Sequence, residues 1–186
     1  CYEMNGTRLE KTVFMIRGEN TTIIRYRIKG RQGRLSIAAL MHSRSFHAAS
    51  SLPAFRLKQL EQGVAVGSSS RPEACLTLIS DGPKFRADER VYYNFEYEEE
   101  RRRALAWRED LFSPGRLEMD LSGDAEFAIA ACTWRSSMPD WREEMAKEKA
   151  RLEALHSPLP DLAIAADSFL ARRGKSLSII AGYHWF

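Results

Sequence analysis

The sequence of 186 residues contains only three cysteines, Cys1, Cys75 and Cys132, and none of them lies in a Cys-x-x-Cys pair. This scarcity excludes a disulfide framework and a zinc knuckle, and it is typical of small apolar residues in a reducing compartment. The longest strictly apolar run, 127–132, is far shorter than the ~20 residues of a membrane-spanning helix. We therefore expect no membrane partner and a piece of a longer cytoplasmic protein, since the chain also begins at Cys1 rather than at a methionine.

The usual catalytic signatures are also absent. The sequence has no Gly-x-Ser-x-Gly elbow, no phosphate-binding Gly-rich loop ending in Gly-Lys-Ser/Thr, no His-Glu-x-x-His and no Gly-rich dinucleotide turn. Its four histidines are far apart, so we predict no metal site and no cofactor. Glu109 and Asp110 would point in opposite directions in an extended chain, which does not suit a glycosidase acid/base pair. We expect no catalytic residue in this chain.

The charge is unevenly distributed. The net charge is +3, yet residues 1–60 hold eleven Lys/Arg and only three Asp/Glu. Such asymmetry is compatible with a basic surface for nucleic acid. However, Thr21–Gly30 alternates Ile24, Tyr26 and Ile28 with three cations, which predicts a half-buried strand whose wet side is basic. Because Tyr26 shares the apolar side, stacking and cationic faces are opposed, and we expect no nucleic-acid partner.

Short strands separated by turn signals dominate the first three quarters of the chain. Strands are predicted at 21–30, 34–41, 54–57, 64–67, 74–80, 91–97, 116–121 and 125–133, with turns at 68–72, 81–83, 113–115 and 122–124. This pattern favours a mainly β, antiparallel sandwich.

The pattern changes at Pro139, after which helical spacing replaces alternation. A helix is predicted over 140–156 and a second over 161–173, ended by Gly174, before an extended apolar stretch. The predicted organisation is therefore a β-sandwich domain at 1–138, a connecting helix and linker at 139–160, and the start of another domain at 161–186.

Aromatic and polar residues are densest between residues 92 and 115. Tyr93, Phe95 and Tyr97 alternate along the predicted strand, and Trp107 and a carboxylate pair follow shortly after. Aromatic rings beside carboxylates and amides are typical of sugar recognition, because the C–H face of a pyranose packs on a ring while its hydroxyls form hydrogen bonds. The alternative is that Phe95 and Tyr97 are core residues and that the neighbouring Glu and Arg runs pair in solvent.

Several segments together resemble the bacterial and archaeal type of glycogen debranching enzyme, the amylo-α-1,6-glucosidase group. They are residues 5–14, Arg44-Ser45-Phe46-His47, Tyr93–Tyr97, Glu109–Gly115 and 179–186. For this family the implied fold is an N-terminal β-supersandwich followed by an (α/α)6 barrel that removes glucose at α-1,6 branch points. The resemblance places the catalytic carboxylates beyond Phe186, so the parent would be a glycoside hydrolase and this chain inactive alone. The departures are Ser45, where an acid is usual, and Ala104, where glycine is usual.

The resemblance also implies partners and contact residues. The partners are the protein's own C-terminal catalytic domain and an α-glucan such as glycogen. The candidate substrate-binding residues are Arg44, His47, Asn94, Glu96, Glu109, Asp110, Tyr183 and Trp185. The alternatives are that the last two lie in an interdomain core, that Arg44 and His47 pin a loop to the barrel, and that the others form a structural network. A purely structural interaction domain without sugar contact is equally compatible with the sequence.

Overall fold

The computed structural model describes residues 1–44, 51–69, 71–133 and 135–180. The elements in these ranges are β1 (Tyr2–Met4), β2 (Thr7–Met15), β3 (Thr21–Lys29), β4 (Gly33–Ala38), β5 (Phe55–Leu60), β6 (Gly63–Ser68), β7 (Arg71–Ser80), β8 (Lys84–Glu96), α1 (Glu98–Arg102), β9 (Arg108–Leu121), β10 (Ala125–Cys132), α2 (Trp141–Glu153), α3 (Pro160–Asp167), β11 (Leu170–Arg173) and β12 (Ser176–Ile179). The mainly β fold with C-terminal helices is confirmed.

Two antiparallel sheets contain the strands β1 to β10. The larger sheet has seven strands in the order β1-β2-β3-β10-β7-β6-β5, and the smaller one has the order β4-β9-β8. One buried cluster contains residues of both sheets: Tyr26 and Ile28 of β3 and Phe127 of β10 lie together with Leu117 of β9. A second cluster joins Val64, Val66, Leu78, Met41 and Phe112 in the same way. The sheets therefore pack face to face as a sandwich, as the spacing of strands and turns predicts.

The alternation in β3 buries the apolar side chains that the sequence predicts to be buried. Tyr26 and Ile28 are buried, and Ile24 packs against the same cluster. The ring of Tyr26 stacks on Phe127 with 5.3 Å between centroids. Arg25 lies on the other side and donates from Nε to Glu126 over 2.9 Å. The cations are thus the polar side of the second half of β3, whereas Thr21 and Ile23 on the same side are fully buried. Tyr26 is not exposed for stacking on a base.

No strand is predicted before residue 21, yet β1 and β2 form a hairpin. The turn between them is Asn5–Gly6, with φ of 51° and 75°. Asn-Gly is the strongest short-range hairpin signal because both positions of a type I′ turn need positive φ. This signal is present in the sequence and is sufficient to predict the hairpin.

The predicted turn at 113–115 is wrong, because these residues lie inside β9. Pro114 has no N–H and cannot complete a ladder of hydrogen bonds. Pairing with β8 shifts register between Ala87 and Arg90, opposite this proline. On the other side, the β4 pairing stops at Arg116 and resumes as a bridge between Met41 and Phe112. The Ser-Pro-Gly sequence is therefore an irregularity in a central strand rather than a turn.

The helical predictions are partly confirmed. Helix α2 lies within the predicted 140–156, but α3 ends at Asp167 instead of Arg173. The residues that follow form a β-hairpin, in which β11 pairs with β12 and Gly174 lies in the turn. Strand pairing thus replaces the last predicted helical turns, because apolar residues at 169–170 suit a strand as well as a helix.

The chain divides into two compact units, residues 1–141 and 142–186. The three-part division predicted from sequence stays a prediction. Among the cysteines, Cys132 is buried as expected, whereas Cys1 is exposed. Within the described ranges, no helix is long and apolar enough to cross a membrane.

Candidate functional site

A buried carboxylate, Glu109, holds together three elements of the first unit. Arg44 donates to it in a bidentate manner, from Nε to Oε2 over 2.6 Å and from Nη2 to Oε1 over 2.7 Å. The Tyr97 hydroxyl donates to the same Oε1 over 2.7 Å. The His42 Nε2 lies 3.9 Å from Oε2. The Glu109 side chain is only 2% exposed, whereas that of Arg44 is 24% exposed. We call these four residues the Glu109 network.

Strand pairing brings the network together. Glu109 is the second residue of β9 and pairs with Phe95 of β8, so the two side chains share a face of the small sheet. Tyr97 follows two residues after Phe95 and therefore projects to that face too. A bridge between Met41 and Phe112, with hydrogen bonds of 2.8 and 3.0 Å, places the segment that carries Arg44 next to β9.

The electrostatics keep this carboxylate ionised. Burial alone would raise the pKa of Glu109, but the hydrogen bonds from Arg44 and Tyr97 outweigh it and hold the pKa below the ordinary value. Burial, and then the hydrogen bond to Glu109, raises the pKa of Tyr97, so its hydroxyl keeps the proton that it donates. A glycosidase general acid needs a raised pKa. The environment of Glu109 therefore suits a fixed anion that orients Arg44, not a proton donor.

A second structural feature lies beside the network, at a bulge in β8. Two residues, Tyr93 and Asn94, stand opposite Asp110 alone in β9. Asn94 has φ of 57°, a left-handed conformation that asparagine tolerates better than most residues. Its backbone N–H donates to Asp110 Oδ1 over 2.8 Å. The side-chain carboxylate thus satisfies a backbone donor that regular pairing would use.

Exposed aromatic side chains lie in this bulge and directly after it. Tyr93 and Phe95 are both exposed. The ring of Phe95 is tilted against that of Tyr97, with 5.4 Å between centroids. Nearby, the guanidinium groups of Arg101 and Arg108 lie 4.8 and 5.5 Å from the centre of the Trp107 ring. The surface at this end of β8 therefore combines aromatic rings with amide, carboxylate and guanidinium groups.

Helix α1 ends in a Schellman motif next to the same surface. Leu105 N–H donates to Glu100 over 3.0 Å and Ala104 N–H donates to Arg101 over 3.1 Å. Ala104 occupies the position after the C-cap with φ of 55°. Glycine is the usual residue there because it has no Cβ, which agrees with the family pattern expected at this position.

The structure distributes the predicted contact residues over three separate pairs. Arg44 bonds to Glu109, Asn94 bonds to Asp110, and Glu96 lies 3.5 Å from the guanidinium of Arg108. The predictions for His47, Tyr183 and Trp185 lie outside the described residues. The predicted contact of these eight residues with sugar stays a prediction.

Two members of the Glu109 network, Tyr97 and His42, are not among the predicted site residues. The signal for Tyr97 is its spacing from Phe95, but its partner across the sheet depends on the pairing of β8 with β9. In the described part of the chain, no group of three or more His, Cys, Asp or Glu residues is placed to hold a metal ion.

These features define residues 1–141 as an antiparallel β-sandwich domain with a fixed carboxylate network beside an aromatic surface. A family model confirms the resemblance found in the sequence: that of the glycogen debranching enzyme N-terminal domain matches residues 1–128. The chain belongs to this family. No curated protein matches it.

Proposed function

We propose that this chain is the non-catalytic N-terminal part of a glycogen-debranching-type glycoside hydrolase, and that it packs on the catalytic domain and contacts α-glucan. Family membership supports the class of parent enzyme. The surface around the β8 bulge supports the contact with sugar. The parent reaction would be hydrolysis at α-1,6 branch points.

The observation that carries the glucan contact is the exposure of Tyr93, which is 72% exposed at the centre of the bulge. An aromatic ring with this exposure offers its face to the apolar side of a pyranose. The side chains of Asn94 and Glu96 are exposed beside it and supply an amide and a carboxylate for sugar hydroxyls.

The Glu109 network has a positioning role in this proposal. Both oxygens of Glu109 accept hydrogen bonds from the protein, so the carboxylate orients Arg44 and Tyr97 rather than meeting the sugar. Arg44 remains partly exposed and belongs to the segment that leads toward residues 45–50. We therefore retain Arg44 as a contact residue and assign Glu109 to its support.

Exposed apolar side chains in the second unit support packing on another domain. Leu162, Leu177 and Ile179 are each largely exposed. Such residues on a small unit are typical of a surface that a partner covers. Adding the separately produced catalytic domain should raise the midpoint of thermal unfolding of the 186-residue chain. No rise at saturating concentration would contradict this part of the proposal.

Calorimetric titration with soluble glycogen and branched malto-oligosaccharides tests the glucan contact. We expect saturable binding that survives moderate salt, because the contact is aromatic and hydrogen-bonded rather than ionic. Tyr93→Ala should weaken it about tenfold. Tyr2→Ala is the matched control, since Tyr2 is 65% exposed on the edge strand β1. No binding up to millimolar sugar, or equal loss in both variants, would leave a purely structural domain.

A further inference from the structure

A cluster of arginines lies on the small sheet, apart from the Glu109 network. Arg86 of β8 and Arg116 of β9 are direct partners in the register, so the two cations share one face. The bulge after Ala87 contains Asp88 and Glu89, and pairing resumes at Arg90. Asp88 and Arg90 line an open cleft of about 330 Å³ with Arg86, Arg116 and Glu118, whereas Glu89 is not among the lining residues. An adjoining hollow of about 250 Å³ is lined by Arg34 and Lys84 among others.

The pairing of Arg86 with Arg116 is unfavourable without an anion, because like charges directly opposite in a sheet destabilise it. Two carboxylates compensate only in part. Glu118 accepts from Arg34 over 2.7 Å and lies 3.9 Å from Arg86. Asp88 lies 2.9 Å from Arg90 and 3.5 Å from Arg116.

The charges of the cleft do not balance. Three guanidinium groups, those of Arg86, Arg90 and Arg116, line the cleft together with two carboxylates. In the adjoining hollow Arg34 adds a fourth guanidinium, and the charges of Lys84 and Asp120 cancel each other. The cleft by itself therefore carries one uncompensated positive charge, and the cleft and the adjoining hollow together carry two. Arg116 also donates to the hydroxyls of Ser36 over 3.3 Å and Tyr92 over 3.5 Å. Each guanidinium has five N–H donors, so the donors still exceed the acceptor positions of two carboxylates and two hydroxyls.

Protonation of the two carboxylates would enlarge this positive excess, but neither carboxylate is protonated at neutral pH. The hydrogen bond from Arg90 lowers the pKa of Asp88, and the hydrogen bond from Arg34 lowers the pKa of Glu118. Both are ionised, so the two uncompensated charges persist at neutral pH.

Arg86 is the group most open to a ligand. Among the described residues, its only acidic partner is Glu118, and its side chain is 74% exposed. Arg90 is likewise exposed beyond its contact with Asp88. Guanidinium forks match the oxygens of phosphate in a bidentate manner, which an ammonium group does not.

We propose that this cleft is a binding site for a phosphate monoester, held between Arg86, Arg90 and Arg116. A monoester carries a charge of about −1.5 to −2 at pH 7, which matches the excess of the cleft and the adjoining hollow together. The same chemistry is offered by inorganic phosphate and by a phosphorylated sugar. The site does not depend on the proposed contact with neutral glucan, because its lining residues are different.

Calorimetric titration of the 186-residue chain with glucose 6-phosphate, inorganic phosphate and glucose tests this proposal. We expect millimolar binding of the phosphates, no binding of glucose to this site, and affinity that falls with salt. Tighter binding of the sugar phosphate would identify a phosphorylated saccharide as the ligand, and equal or tighter binding of inorganic phosphate would identify the free anion. Arg86→Gln/Arg90→Gln should weaken phosphate binding at least tenfold.

The matched control is Arg8→Gln/Arg102→Gln. It removes the same two charges from side chains that are 53% and 65% exposed, each beside glutamates of its own strand or helix. Absence of phosphate binding up to about 10 mM would overturn the proposal, as would equal weakening by both double variants. Tighter binding of an oligonucleotide than of the monoester, lost in the Arg86/Arg90 variant, would also overturn it in favour of a phosphodiester surface. Failure of glycogen binding leaves these outcomes unaffected.

Discussion

Replacing Glu109 by glutamine removes one charge from the centre of the Glu109 network and changes almost no volume. The amide keeps one oxygen that can accept, but it turns its other end into a donor. In the wild type the Arg44 guanidinium donates to both carboxylate oxygens, over 2.6 and 2.7 Å. In the variant one of these donors faces the N–H group of the amide. The Tyr97 hydroxyl competes for the remaining oxygen.

The expected cost follows from burial. Hydrogen bonds to charged groups contribute about 1.5–3 kcal/mol, and breaking a fully buried ion pair costs about 3–5 kcal/mol. Glu109 is fully buried, but Arg44 is about a quarter exposed and regains some hydration. We therefore expect Glu109→Gln to lower the free energy of unfolding by about 2 kcal/mol at pH 7.

The cost should depend on pH with a defined sign. The folded protein holds the pKa of Glu109 below its ordinary value of 4.5. A carboxyl with a lowered folded pKa contributes stability above its unfolded pKa and loses it as the pH falls through the folded value. The difference between wild type and Glu109→Gln should thus be full at pH 7 and shrink below about pH 4.5.

Urea denaturation at pH 7 and below pH 4.5 measures both effects. Glu96→Gln is the matched control, because Glu96 is half exposed and lies 3.5 Å from Arg108. Its effect should stay below about 0.5 kcal/mol. A loss under about 0.5 kcal/mol for Glu109→Gln, or a loss that stays constant as the pH falls, would refute the reasoning.

Three further substitutions test the backbone and packing. Gly115→Ala should cost about 2–3 kcal/mol, because an added Cβ would lie 2.2 Å from a main-chain oxygen, whereas Gly33→Ala, with no atom within 4 Å, should be nearly neutral in the same urea denaturation. Ala104→Gly should stabilise the protein by about 1 kcal/mol by relieving the left-handed alanine, and a loss of stability would contradict the strain. Trp141→Phe removes an indole N–H that donates to Asp81 over 2.6 Å and should lower the free energy of unfolding by about 2 kcal/mol; an unchanged urea midpoint would contradict this contact.

Local patterns were sufficient for most strands. The alternation of Ile24, Tyr26 and Ile28 predicts which side of the second half of β3 is buried, because side chains of a strand alternate between faces. The same holds for the change to helical spacing at Pro139, which precedes α2. These features depend on residues near each other in the chain.

Proline and glycine did not mark the ends of strands unambiguously. At 81–83 it marks a turn, but Pro114 lies buried in the middle of β9. A proline can either end a strand or interrupt its pairing, and the neighbours across the sheet decide which occurs. The early end of α3 also depends on strand pairing, because the residues that would continue the helix form β11 and pair with β12.

The sequence by itself therefore determined the fold class, most strands and the residue types of the candidate surface. Only the tertiary structure decided their partners. Arg44 and Glu109 are 65 residues apart in the chain and meet because the segment after β4 bridges to β9. Arg86 and Arg116 face each other because of the register between β8 and β9. Contacts of this kind follow from strand pairing and not from local spacing, which is why alternation predicts the face of a side chain but not what it touches.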